Sequence, residues 1–259
     1  MTLNDVKCFL LDMDGTFYLG GNIIEGSLDF IKKVRETGRD FMFLTNNSSH
    51  NADFYVKRLH GMGLDVPKSQ ILTSGEATAY KLNELYPGKR VFVLGNEYLV
   101  AELTENGVTV DQDDPEIVVA GYDTTLDYKK MTRVCDLVRA GLPYIATHPD
   151  YNCPTETGFA PDLGAIIAFI EASAFRRPDL IIGKPNTGIV EAALKRTGLK
   201  TSELAMVGDR LYTDIETGLR SGMLSILLMS GETTEEMLEK SETKPDLKFG
   251  RLADMIPLL

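Results

Sequence analysis

Short apolar runs alternate with amphipathic helical periods along nearly the whole chain, and this grammar restricts the fold more than any other feature. Residues 6–11 form an apolar run suited to a buried strand, which breaks at Asp12-Met13-Asp14-Gly15-Thr16. Phe17-Tyr18-Leu19 and Ile23-Ile24 flank Gly20-Gly21-Asn22, a hairpin signal set directly after those acids. The spacing predicts a helix from Ser27 that buries Leu28, Ile31 and Val34 and ends at Gly38. A strand over 41–44 then leads to Thr45-Asn46-Asn47-Ser48-Ser49, and Ala52, Tyr55, Val56, Leu59 and Met62 mark one face of another helix.

The end of the chain follows the same pattern. Residues 180–182 read as a strand running into Gly183-Lys184-Pro185, and 204–207 as a strand running into Gly208-Asp209. A helix through Ile215 and Leu219 follows, then a strand over 224–228, and Thr233 with Glu236 has the spacing of a capping box. Such alternation implies a doubly wound, mostly parallel sheet, an α/β Rossmann-like core. Ligands gather at the carboxyl ends of strands in such sheets. Four of these ends carry polar groups: Asp12 and Asp14, Thr45 and Asn46, Lys184, and Asp209. The stretch between Thr45 and Lys184 is too long for one crossover and has its own strand–helix alternation. It predicts an inserted α/β domain over 78–179, with 1–77 and 180–259 forming the core. Within the insert, residues 147–161 read as a loop before an apolar helix over about 163–170.

Chemistry follows from the residue types at these ends. A carboxylate at Asp12 can attack phosphorus and form an aspartyl-phosphate, and a second carboxyl at Asp14 can move protons. A turn is the bland reading of Asp-x-Asp-Gly. A phosphate beside Asp12 and Asp209 brings like charges together, at about 4 kcal/mol per pair at ~4 Å with an effective dielectric of ~20. A cation must offset this, and Mg²⁺ fits carboxylate oxygens and phosphate. Lys184 supplies a further positive point. The Thr45 hydroxyl and the backbone N–H groups from Asn46 onward are suited to an anion, although Thr-Asn-Asn-Ser-Ser is also rich in helix caps. Asp214, five residues after Asp209, can orient Lys184 or metal-bound water, or serve only as a charge in a helix's first turn.

These segments together resemble the haloacid dehalogenase-like superfamily, whose four signature motifs occur here in order. The insert is similar to that superfamily's class II cap. Leu44-Thr45-Asn46-Asn47-Ser48-Ser49, Ala146-Thr147-His148-Pro149-Asp150 and Ile182-Gly183-Lys184-Pro185 resemble the NagD-like or p-nitrophenylphosphatase subfamily. The resemblance implies a phosphatase with Asp12 as nucleophile and metal ligand, and with Asp14 as acid/base that binds metal through its carbonyl. It implies that Thr45 and Lys184 hold the phosphoryl group, with Asn46 and Asn47 beside them, and that Asp209 holds Mg²⁺ with Asp214 behind it. It also implies a site between core and cap; a homodimer is compatible with it. The loop over 147–161 is the candidate for touching the leaving group, whereas His148 and Asn152 read as structural.

The totals exclude several other classes. The chain has 259 residues, a net charge of −11 and no apolar stretch of membrane-helix length. The acidic balance argues against a nucleic-acid backbone as partner and leaves a small phosphate ester. Three scattered cysteines and a first run without a secretory pattern predict reduced thiols in the cytoplasm. Sugar phosphates are the expected substrate class. A phosphoryl-transferring mutase, or a metabolite-binding regulator with a vestigial site, are the alternatives.

Overall fold

The computed structural model describes residues 2–155 and 158–259. In chain order its elements are β1 (Cys8–Leu11), β2 (Tyr18–Leu19), β3 (Asn22–Ile23), α1 (Ser27–Glu36), β4 (Asp40–Thr45), α2 (Ala52–Gly61) and β5 (Ile71–Thr73). Then come α3 (Ser74–Leu85), β6 (Arg90–Leu94), α4 (Glu97–Glu105), β7 (Thr109–Val110), β8 (Ile117–Ala120), α5 (Tyr128–Arg139) and β9 (Tyr144–Ala146). They are followed by β10 (Asn152–Thr155), β11 (Gly158–Pro161), α6 (Leu163–Ala174), β12 (Leu180–Ile181) and α7 (Gly188–Thr197). The chain closes with β13 (Leu204–Gly208), α8 (Glu216–Ser221), β14 (Leu224–Leu228), α9 (Glu235–Lys240) and β15 (Leu247–Phe249). Among the described residues no helix is long and apolar enough to cross a membrane.

Two compact α/β units result. The first comprises Met1–Thr45, Val56–Leu72 and Lys184–Leu259; the second comprises Asn46–Tyr55 and Thr73–Gly183. The first is built on a sheet ordered β15-β14-β13-β1-β4-β5. β1, β13 and β14 are buried along their whole length, which is why they read as unbroken apolar runs. Phe30 of α1 packs edge-on against Phe9 of β1, with ring centres 5.5 Å apart. Contrary to the periodicity reading, Leu28 is 37% exposed and Phe30 takes the inward position beside Ile31 and Val34. The order turns outward in both directions from β1, so the crevice above its carboxyl end is the topological switch point.

The second unit has its own parallel sheet, β12-β9-β8-β6-β7, whose core includes Leu94, Val118, Val134, Tyr144, Leu163 and Ile170. Three expectations are corrected here. Residues 180–182 were expected to be a core strand, but β12 pairs with β9, and the first unit resumes only at Lys184. The segment after Thr45 joins the second unit because its polar groups are satisfied there. The Tyr122 N–H and the Thr147 hydroxyl donate to Ser48 Oγ, each at 2.9 Å, and the Ala52 N–H donates to the buried Glu102 carboxylate at 3.2 Å. Residues 147–161 are not one loop: β10 and β11 form an antiparallel pair, Asn152 opposite Pro161, although Glu156 and Thr157 lie outside the described residues.

Candidate active site

Register brings the first unit's acids together. Leu11 of β1 stands opposite Val207 of β13 and Phe43 of β4, so the residues that follow all three strands emerge at one edge. Asp12 leaves β1 with its N–H bonded to Val207 O at 2.9 Å. The turn after it requires Gly15 at φ +86°, a conformation L side chains avoid. A Cβ there would also lie 2.5 Å from Asp209 Oδ2. The β2–β3 hairpin then holds Asp14, whose Oδ1 accepts the Gly20 N–H at 3.3 Å.

Lys184 is the centre of the charge arrangement. Its ammonium donates to Asp12 Oδ1 at 2.5 Å, to Asp214 Oδ1 at 2.7 Å and to Leu44 O at 3.3 Å. Only 3% of its side chain is exposed. Burial works against its charge, but Asp12 and Asp214 more than offset this and hold the ammonium above its ordinary proton affinity. Asp214 is fully buried, and its other oxygen accepts the Arg210 N–H at 3.1 Å. Gly208 leaves the room this requires, since a Cβ there would overlap the Asp214 carboxylate.

Asp209 is enclosed separately. Its Oδ2 accepts the Glu232 N–H at 2.6 Å, and its Oδ1 lies 3.4 Å from the Thr16 hydroxyl that donates to it. Its main-chain carbonyl accepts the Thr233 hydroxyl at 2.5 Å. Oxygens of Asp12, Asp209 and Asp214 all fall within 4.8 Å of one another. Burial first, then neighbouring carboxylates, pushes Asp12 up to about 8 and Asp209 up to about 6, against the pull of Lys184 on both and of the Glu232 N–H on Asp209. Asp14 is also raised, mainly by desolvation, against the Gly20 N–H, Arg58 and Arg210. The three clustered carboxylates therefore lack positive charge, with one ammonium bonded between two of them.

Of the sequence-predicted residues, the first unit brings together Asp12, Lys184, Asp209 and Asp214, with Asp14 two residues from Asp12 and Thr45 ending β4. Asn46 and Asn47 belong to the second unit. The Asn46 amide donates to both Asp150 oxygens at 3.2 Å, and Asn47 Oδ1 accepts from Ser49 N at 2.9 Å and Ser49 Oγ at 2.7 Å. His148 is buried, with its ring nitrogens 2.9 Å from the Thr147 hydroxyl and 3.0 Å from Asp162, a structural setting. Sequence reasoning missed Arg210 and the loop Ser230-Gly231-Glu232-Thr233. It took Thr233 for a helix cap, whereas Thr234 caps α9, accepting the Met237 N–H at 3.2 Å. The available signal was a glycine and hydroxyl residues placed just after the carboxyl end of a buried strand, β14.

The fold is that of a doubly wound α/β protein, with clustered carboxylates and a buried lysine at the strand ends of its first unit. Residues 9–109 match the family model of haloacid dehalogenase-like hydrolases, and residues 181–255 match a HAD-hydrolase-like model. An acid sugar phosphatase of Staphylococcus aureus (strain MRSA252) is 35% identical over 255 residues, covering 98% of each chain. The crystal structure of a 4-nitrophenylphosphatase from Thermotoga maritima superposes with a TM-score of 0.96 at 46% identity, covering 98% of each chain. NagD from E. coli K-12 superposes with a TM-score of 0.89 at 30% identity, covering 96% of this chain and 98% of that one. The chain belongs to the haloacid dehalogenase-like hydrolase family, in its NagD-like, p-nitrophenylphosphatase branch.

Proposed function

We propose that this chain is a magnesium-dependent phosphatase that hydrolyses small phosphomonoesters, sugar phosphates among them, through an aspartyl-phosphate on Asp12. The observation that carries the reading is the Lys184 ammonium, buried and bonded to Asp12 and Asp214 beside Asp209. The names of the relatives, an acid sugar phosphatase and a 4-nitrophenylphosphatase, support the same class of substrate.

The donor set fits a divalent cation. All three clustered side chains offer oxygen, the ligand type Mg²⁺ prefers, and the raised proton affinities of Asp12 and Asp209 mark a site that lacks positive charge. Asp12 and Asp209 would hold the ion together with the Asp14 carbonyl. Both Asp214 oxygens are already engaged, by Lys184 and by the Arg210 N–H, which suits a supporting place behind the ion. When bound, the ion supplies positive charge that offsets repulsion between phosphate and carboxylates.

The residues then divide the work. Lys184 and Thr45 hold the phosphoryl oxygens. A carboxylate oxygen of Asp12 forms a bond to phosphorus as the bond to the ester oxygen breaks, and Asp14 gives its proton to the departing alkoxide. Desolvation raises the proton affinity of Asp14, the direction a donor requires. In the second step Asp14 takes a proton from water as the water oxygen bonds to phosphorus. The acyl-phosphate bond breaks, and Asp12 and inorganic phosphate are released. The three cysteines form no disulfide, which supports a reducing, cytoplasmic setting.

Asp12→Asn tests this reading, since an amide oxygen is a poor nucleophile. Phosphate release from a panel of sugar phosphates with Mg²⁺ should fall at least ~10⁴-fold with the fold unchanged by circular dichroism. Release within tenfold of the wild type would refute the covalent route. Turnover that rearranges the ester without freeing phosphate would point to a mutase.

A further inference from the structure

The Ser230–Thr233 stretch has no place in the catalytic steps above, yet it surrounds Asp209 on several sides. Ser230 Oγ donates to Gly15 O at 2.8 Å, and the Thr233 hydroxyl and N–H both reach Asp209 O, at 2.5 and 3.3 Å. Gly231 lies so close that a Cβ there would overlap the Asp209 carboxylate. The loop's position therefore decides where that carboxylate stands. Glu232 is the residue that ties the loop down. Its N–H donates to Asp209 Oδ2 at 2.6 Å, while its own carboxylate turns away and is held at both oxygens. Arg210 Nε lies 2.9 Å from Oε2, and the Tyr212 hydroxyl donates to Oε1 at 2.6 Å.

The connectivity closes a ring. Arg210 follows Asp209 in the chain and grips the Glu232 side chain, and the Glu232 backbone in turn grips the Asp209 side chain. The Arg210 contact is an ion pair without hydrogen-bond geometry; a fully solvated pair would contribute little, but 16% of the Arg210 side chain and 32% of that of Glu232 are exposed, and a pair partly withdrawn from water is screened less. We propose that Glu232, clamped by Arg210 and Tyr212, is a positioning residue for Asp209 and sets how tightly the site holds a divalent cation. The proposal rests on the reading of Asp209 as a metal ligand.

The test uses Mn²⁺ as probe, with the free ion counted by electron paramagnetic resonance during titration of the full-length, metal-stripped protein. Glu232→Ala should raise the Mn²⁺ dissociation constant about 10- to 100-fold, the usual effect of losing a partner that orients a metal ligand. Glu232→Gln keeps the side-chain length, with its single carbonyl oxygen towards Arg210 and its NH2 able to donate to the Tyr212 hydroxyl, and should stay within about threefold of the wild type. Tyr212→Phe, a change at a half-exposed position, keeps the fold in reach and should weaken binding about two- to fivefold. Unchanged Mn²⁺ affinity in Glu232→Ala, alongside strong loss in Asp209→Asn, would overturn the clamp and spare the ligand reading. Unchanged affinity in Asp209→Asn would overturn both. Glu232→Gln binding as weakly as Glu232→Ala would also overturn the clamp, because only charge, not the held geometry, would then matter.

Discussion

Replacing Lys184 with Met removes the one ammonium bonded to Asp12 and Asp214 while keeping most of the side-chain volume. The Asp214 side chain is 1% exposed and that of Asp12 16%, so neither carboxylate can recover full hydration in its place. Breaking a buried pair by removing one partner costs about 3–5 kcal/mol, which corresponds to a melting-temperature loss of about 6–20 °C for a chain of this size. The loss should depend on pH, with a sign that follows from Asp12. Its folded value, pushed up to about 8, lies above the ordinary carboxylate value of ~3.9, so the native state binds the extra proton between the two. Stability from this group is fully present below ~4 and is lost as pH rises through the folded value. Lys184 is the largest influence holding that value down, so its removal extends the window upward. Thermal melts of metal-stripped wild type and Lys184→Met at pH 5 and pH 9 measure the effect. The deficit at pH 5 should be less than half that at pH 9, because a protonated Asp12 no longer needs the ammonium. An equal deficit at both pH values, or one below about 2 °C throughout, would refute the charge argument and leave only packing. With Mg²⁺, the same variant should lose activity about 10³-fold, since one unit-charge contact to phosphate at ~4 Å contributes about 4 kcal/mol.

Two further outcomes follow from the fold alone. Phe175 sits at φ 56° at the end of α6 and is 86% exposed, so it bears left-handed backbone strain with little burial to offset it. Phe175→Gly should raise stability by up to about 1 kcal/mol in chemical denaturation; a loss would mean that the side chain packs in a way its exposure denies. Burial pushes the Cys8 thiol up to about 12, and Cys135 is buried, whereas Cys153 is only partly covered. A thiol reagent at pH 8 should therefore modify one cysteine per native chain, and mass spectrometry should place it at Cys153.

Much of the site was legible because each acid follows a strand buried on both faces, the strongest short-range signal in this chain. Asp12 after β1 and Asp209 after the start of the β13 exit are both found in this way. Lys184 was found by its motif rather than by its strand. Two residues of β12 carry no periodicity that assigns them to one sheet or another, and they pair in the second unit. β10 and β11 escaped because Pro154 and Pro161 demote a strand reading, whereas in a two-stranded pair both strands are edges and tolerate them. The loop around Asp209 escaped for a different reason. Its work is done by the Glu232 N–H and by the space at Gly231, and a backbone donor leaves no mark in a sequence.

What no motif prints is the register that makes these separate residues one site. β1 and β13 align Leu11 with Val207, and β1 and β4 align Leu11 with Phe43. A slip of one residue would move Asp209 about 3.3 Å along the sheet and turn every β13 side chain to the opposite face. The slip is resisted because both faces of β13 are apolar and fully buried, and because three polar ties would break with it: Thr16 to Asp209, Glu232 to Asp209, and Lys184 to Asp214. The polar ties that help select the register also fix the carboxylates, whereas the buried apolar faces of β13 hold the fold without them. A variant that loosens one of these ties should therefore lose cation affinity before it loses the fold.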